Sequence, residues 1–195
     1  MLMDPSLRPP SGLYWKLLGD SWGSLNHAVQ RLHVLDAPVH AVGVFRVRQV
    51  SNWLARTLAR LAQLPTAGEA VDIQLRVTAR GDGEEWRRTF AGRPLVSVQS
   101  ERPDDGLLVE RVGPVEMRFR LRVVGGALAY QATSAALCLG SLRVPIPGWL
   151  SPRVTALETP VGEGDQIDVS VEIHLPLLGC LIAYEGKLTR IEVQQ

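Results

Sequence analysis

Between positions 71 and 80 apolar and polar residues take turns: Val71, Ile73, Leu75, Val77 and Ala79 alternate with Asp72, Gln74, Arg76, Thr78 and Arg80. Side chains on a strand point alternately to its two faces, so the pattern specifies a strand with one dry and one wet face. Gly81-Asp82-Gly83 then supplies the backbone freedom for a tight reversal into residues 84–90, which predicts a hairpin. The alternation returns where Val115, Met117, Phe119, Leu121 and Val123 face Glu116, Arg118, Arg120 and Arg122, and Gly125-Gly126 turns the chain toward residues 128–133. It returns again in Ile167, Val169, Val171, Ile173 and Leu175 against Asp168, Ser170, Glu172 and His174, before Gly179 and a last strand over 181–193. Strands with one solvated face belong to antiparallel sheet.

Two stretches follow the helical period instead. Leu25, Ala28, Val29 and Leu32 fall at i, i+3, i+4 and i+7, with Ser24 placed as the cap, and residues 13–18 add a turn or two ending at Gly19. A second helix starts at Ser51 or Asn52, turns Leu54, Leu58, Leu61 and Leu64 to the core and Arg56 and Arg60 outward, and stops at Pro65. Helices between most strands would be needed for parallel winding, and the pattern does not provide them. The expected fold is therefore β-dominated α+β: a strongly curved antiparallel sheet or partial barrel of about nine strands, starting at residues 39–50, with two short N-terminal helices. Residues 1–12, with three prolines, read as an irregular arm and 13–195 as a single domain. The 145–152 stretch also has three prolines and cannot be a central strand, so a structured loop is expected there, with Ile146, Trp149 and Leu150 covering the core or the mouth of a pocket.

Charge removes some function classes. With 21 basic against 20 acidic residues the net charge is +1, so the chain as a whole has no field to draw it to nucleic acid or anionic lipid. All basic residues but Lys16 and Lys187 are arginine, a bias given no functional weight. Cys138 and Cys180 are far apart and form no CxxC, which points to two reduced thiols and a cytoplasmic location. The start lacks a basic segment leading into an apolar one, and nowhere do about 18 apolar residues run together, so neither secretion nor a membrane span is expected.

Several short stretches together carry a family likeness: Leu17-Leu18-Gly19 with Trp22 and Leu32-His33; Glu85-Trp86-x-Arg88-x-Phe90-x-Gly92; Glu110-Arg111-x-Gly113; Pro145-x-Pro147 with Leu150 and Pro152; and residues 175–179 followed by Tyr184-x-Gly186. Over nearly its full length the chain resembles the bacterial family catalogued as domain of unknown function 4166. Members occur alone or fused behind nucleotide-binding oxidoreductase-like domains. The resemblance thus implies a domain boundary and an oxidoreductase-like partner, not a reaction. Val112 departs from it, standing where an aromatic residue is expected.

Candidate chemistry is sparse. His27, His33, His40 and His174 form no ligand pair at i, i+4 on a helix or i, i+2 on a strand, so no metal is expected. No nucleophile elbow, glycine-rich phosphate loop or S-x-x-K occurs, and no cofactor is implied. His174 shares the wet face with Glu172 and reads as a surface histidine or a cavity-lining one. Trp86, Arg88 and Phe90 share one side of their strand and Glu85, Arg87 and Thr89 the other. If the aromatics face inward, Arg88 is an interior charge in need of a carboxylate, for which Glu110 is the first candidate. Arg118, Arg120 and Arg122 form a stripe that suits either a solvated face or an anionic headgroup.

The leading functional expectation is a domain that binds an apolar, lipid-like or polyketide-like molecule. Its pocket is expected to open near Trp149, with Trp86, Phe90, Met117 and Tyr184 as walls and Arg88 or Glu110 at the polar end, because the dry-face residues are mostly medium-sized and leave room. The alternative is an acid–base isomerase or cyclase using Glu110 and Tyr184, with Glu85 and His174 as further candidates. The third is an interaction module for the oxidoreductase-like partner that the resemblance implies, marked by an exposed apolar patch or a free sheet edge.

Overall fold

The alternating segments all form strands in the computed structural model, which describes residues 12–49, 53, 57, 59–60, 64–102, 105–162 and 164–191. They are β1 (Val39–Gln49), β2 (Gly68–Arg80), β3 (Gly83–Phe90), β4 (Arg93–Arg102), β5 (Leu107–Val112), β6 (Val115–Val124), β7 (Ala127–Leu139), β8 (Leu142–Pro145), β9 (Arg153–Pro160), β10 (Gln166–Leu175) and β11 (Gly179–Ile191). Among the described residues eleven strands therefore stand where about nine were expected. The sheet runs β6-β5-β4-β3-β2-β1-β11-β10-β9-β7, and β6 also pairs with β7, so ten strands close into an antiparallel barrel. Closure is what the sequence left open, because a strand with one wet face reads the same in an open sheet and a barrel.

Two backbone devices curve the wall. Thr133 is an extra residue in β7, unpaired between Ala132↔Phe119 and Ser134↔Arg118, and its hydroxyl donates to the Arg118 carbonyl at 3.1 Å. Such a bulge adds local twist and bend. Between β1 and β11 the backbones press together at two glycines: a Cβ on Gly43 would lie 1.9 Å from the Lys187 carbonyl oxygen, and one on Gly186 2.4 Å from that of Val44.

The eleventh strand stands outside the closed wall. β9 pairs with β7 at residues 128–131 and β8 pairs with it at 136–139, on the edge of β7 opposite β6. β8 thus continues the line of β9 past the rim, and residues 146–152 form the loop between them. The predicted loop is present, but Trp149 is 68% exposed and covers neither core nor pocket.

The N-terminal helices enter one end of the barrel. They are α1 (Leu13–Leu18), a 3-10 turn (Gly19–Ser24) and α2 (His27–His33). Asn26, not Ser24, caps α2: its Oδ1 accepts from Ala28 N–H at 2.9 Å while its own N–H donates to Gly126 O at 3.0 Å, fastening the helix to the β6–β7 turn. Tyr14, Leu18, Trp22, Val29, Leu32 and His33 are buried in the core formed with the wall. They take up the room that medium-sized wall residues leave, so this half of the interior is not hollow.

The second helix expected in the β1–β2 connection falls mostly outside the described residues, as do residues 1–11 of the N-terminal arm. Trp53, Thr57, Ala59 and Arg60 are helical, and Ala59 packs on Leu181 at the end of the barrel opposite α1 and α2.

Candidate functional site

On β3 the inward register of Trp86 and Phe90 also carries Glu84 and Arg88, so charged groups are built into the barrel interior. They fall into two layers. In the layer beneath the helices, Glu84 accepts from the Leu13 N–H at 3.0 Å and from the Trp86 indole at 2.9 Å. Burial raises its pKa, an effect that the indole, His33 and the Leu13 amide oppose. Tyr14 donates to Gln99 Oε1 at 2.8 Å, Tyr130 donates to Glu158 Oε1 at 3.0 Å, and the two hydroxyl oxygens stand 3.3 Å apart. His33 Nε2 meets Glu158 Oε2 at 2.7 Å while its ring stacks on Tyr14 with centroids 3.8 Å apart. The other ring nitrogen, Nδ1, has no partner among the described residues. Burial drives both tyrosine pKa values well above their ordinary value, and Glu158 adds to the effect at each.

Toward the other end the interior is wetter. Arg88 Nη1 donates to Ser97 Oγ at 2.9 Å and to Glu110 Oε1 at 3.2 Å, and the guanidinium lies over the Trp86 ring at 5.0 Å. Side-chain exposure is 17% for Arg88 and 15% for Glu110, so solvent reaches both. Among the described residues no partner engages Nε or Nη2 of Arg88. Phe90 packs edge-on to Tyr184 and to Phe45, at 5.4 and 6.3 Å. Met117, across from Glu110 in the sheet, and Tyr184 are only half-buried although both face inward. Burial raises the Tyr184 pKa; Arg88 opposes that and Glu110 reinforces it.

Of the residues singled out in the sequence, Trp86, Arg88, Phe90, Glu110, Met117 and Tyr184 thus share the interior, with Trp86 at the boundary of the two layers. Trp149 does not join them. Glu85 is on the outer face with Arg80 and Arg87, at 3.0 and 3.3 Å, and His174 is on the outside beside Glu172 at 3.4 Å. The arginine stripe is also external, and Arg118 pairs there with Asp105 at 3.5 Å. Cys138 and Cys180 are free thiols. Sequence reasoning missed Tyr14, His33, Glu84, Ser97, Gln99, Tyr130 and Glu158. Period two would have found Glu84 from Trp86, and His33 extends the helical stripe of Val29 and Leu32.

Two concavities lie on the outside of the wall. One, of about 760 Å³, occupies the dent at Gly43 and Gly186 and is bounded by Val42, Val44, Asp168, Glu185 and Lys187; the other, of about 390 Å³, adjoins His40, Gln74, Arg76 and Arg87. Among the described residues no cluster of His, Cys, Asp and Glu could hold a metal ion, and no helix is long and apolar enough to cross a membrane.

Comparison with known proteins gives one family. A family model described as "Domain of unknown function (DUF4166)" matches residues 25–188. No curated protein and no solved structure matches the chain.

Proposed function

The chain belongs to the family of domain of unknown function 4166, and from that premise, which carries no reaction, we propose that the barrel binds an apolar or lipid-like small molecule in its wetter half. The observation that carries the proposal is Arg88: an interior arginine, 17% exposed, whose side-chain hydrogen bonds among the described residues are both made by Nη1. A guanidinium inside a barrel is costly to bury and is ordinarily satisfied by its partners. The unused donors suit a carbonyl or carboxylate head, and Phe90, Met117, Val171 and Tyr184 suit the apolar body behind it. Acid–base catalysis is less well supported. A general acid or base works best with a pKa near the operating pH, whereas Tyr184 is shifted upward, and Glu85 and His174 face away from the interior.

Native mass spectrometry of the purified protein, with organic extraction of whatever accompanies it, tests the reading directly. Met117→Trp, which fills the space beside Glu110, should abolish uptake of a fluorescent fatty-acid analogue while costing less than about 1–3 kcal/mol of stability. If wild type takes up no such probe and the substitution is as costly as overpacking a full core, the interior is only core.

A further inference from the structure

In an antiparallel barrel successive connections alternate between the two ends, so each end has its own set. At the helix end they span residues 34–38, 81–82, 103–106, 125–126 and 161–165. Their described residues include Asp36, Asp82, Asp105 and Asp165 and not one arginine or lysine. At the opposite end they span 50–67, 91–92, 113–114, 140–141, 146–152 and 176–178, and their described residues include Arg60 but no carboxylate. Exposed Arg93, Arg111, Arg143 and Arg153 stand at the strand ends beside them. The carboxylates nearest this end are already engaged: Glu116 by Arg143 at 2.8 Å, Glu172 by His174 at 3.4 Å and Glu69 by Arg46 at 2.7 Å. The helix end has bases as well, Arg80, Arg102, Arg122 and Arg190 at its strand ends and Arg31 paired with Asp165 at 2.6 Å, so what differs between the ends is the charge of the connections themselves.

The basic end also bears the large apolar side chains most open to water. Trp149 is 68% exposed and Leu177 77%, on neighbouring connections, and Trp53 is 72% exposed on a third. Beyond the rim, β7 and β8 present Leu137, Leu139, Leu142 and Val144 on one face, set by the pairs Leu137↔Val144 and Leu139↔Leu142. That face continues the inner wall, because Met117 pairs with Ala135 and Val115 with Leu137. Tryptophan and leucine at protruding tips, with arginine beside them and no carboxylate in the described residues of their connections, match the two layers of a lipid surface: apolar acyl boundary and anionic headgroups.

We propose that the end of the barrel opposite the helices docks on an anionic phospholipid bilayer, seating Trp149, Leu177 and the β7–β8 ribbon at the interface with Arg93 and Arg153 against the headgroups. The docked face is contiguous with the wetter half of the interior, but the proposal rests on surface residues alone and stands whether or not that interior takes a ligand.

Vesicle co-sedimentation of the full chain tests it, with phosphatidylcholine vesicles compared with vesicles containing about one-third phosphatidylserine. Binding should favour the anionic vesicles and weaken with salt, and each of Arg93→Glu and Arg153→Glu should lower it about five-fold or more. Trp149→Ser with Leu177→Ser should abolish binding while leaving circular dichroism, thermal midpoint and vesicle-free probe uptake unchanged, since both side chains are in water already. Equal binding to both vesicle types, no binding at low salt, or undiminished binding by the double variant would overturn the proposal. So would a stable dimer in sedimentation velocity that the double variant dissolves, which would give this face to a second copy of the chain.

Discussion

The two layers of the interior use similar chemistry to opposite ends. Under the helices, Glu84, Glu158, His33, Gln99 and two tyrosines meet with almost no access to water, and every carboxylate oxygen and hydroxyl there has a partner. A few ångströms along β3, Arg88 and Glu110 form one bond to each other, Ser97 takes a second from the same arginine nitrogen, and both charged side chains keep some exposure to water. Fully matched buried networks rigidify and specify a core, whereas partly used ones leave donors for something else. What separates the layers is satisfaction, not polarity: in the sealed one His33 Nδ1 is the buried side-chain atom left without a partner among the described residues, whereas the wetter one leaves arginine donors unused.

Truncation should expose this contrast most strongly. Tyr14→Ala removes a fully buried ring and a hydroxyl that serves Gln99, and should cost about 3–5 kcal/mol in urea unfolding, against about 1–2 kcal/mol for half-buried Met117→Ala. Equal losses would mean that the two layers are one core. Alkali provides the next largest effect. The folded chain keeps the Tyr14 and Tyr130 protons above pH 10 while the unfolded chain releases them, so stability should fall as pH rises past that value. Each tyrosine contributes about 1.4 kcal/mol per pH unit, so the pair should cost about 2–3 kcal/mol by one unit above pH 10. Tyr14→Phe with Tyr130→Phe should flatten that slope; an unchanged slope would place the alkaline sensitivity elsewhere.

Glu158→Gln should cost about 1–2 kcal/mol, because a neutral amide cannot accept as well from both Tyr130 and His33. Thermal unfolding measures it, and a neutral result would remove Glu158 from the sealed network. In the wetter layer Arg88→Met should cost under about 1 kcal/mol, since Glu110 stays partly solvated, yet weaken uptake of a carboxylate-headed probe about ten-fold or more. If it costs several kcal/mol and leaves uptake intact, Arg88 belongs with the structural groups.

Sequence reading reached the wall more easily than its contents. Strict alternation in β2, β6 and β10 made the dry face legible, and Arg88 could be paired with Glu110 because two aromatics in its own register turn it inward. β4, β9 and β8 blur that alternation, and β8 has four exposed residues with no dry face at all, which explains the short count of strands. The sealed layer was illegible for a different reason. Tyr14, Gln99, Tyr130 and Glu158 come from four separate elements, each supplying only one of these groups, and only closure of the barrel brings them together.

That closure also fixes when the chain can finish folding. Leu13 needs Glu84, 71 positions on; Tyr14 needs Gln99 and Tyr130, 85 and 116 on; His33 waits for Glu158, 125 on. On the ribosome the plug precedes its wall, and its last partner is made only with β11, whose Arg190 donates to the Arg31 carbonyl. Until then its tyrosine, tryptophan and leucines have no wall to enter, and contacts of such long sequence separation close slowly. The segment that finally locks the barrel is the one exposed longest during synthesis.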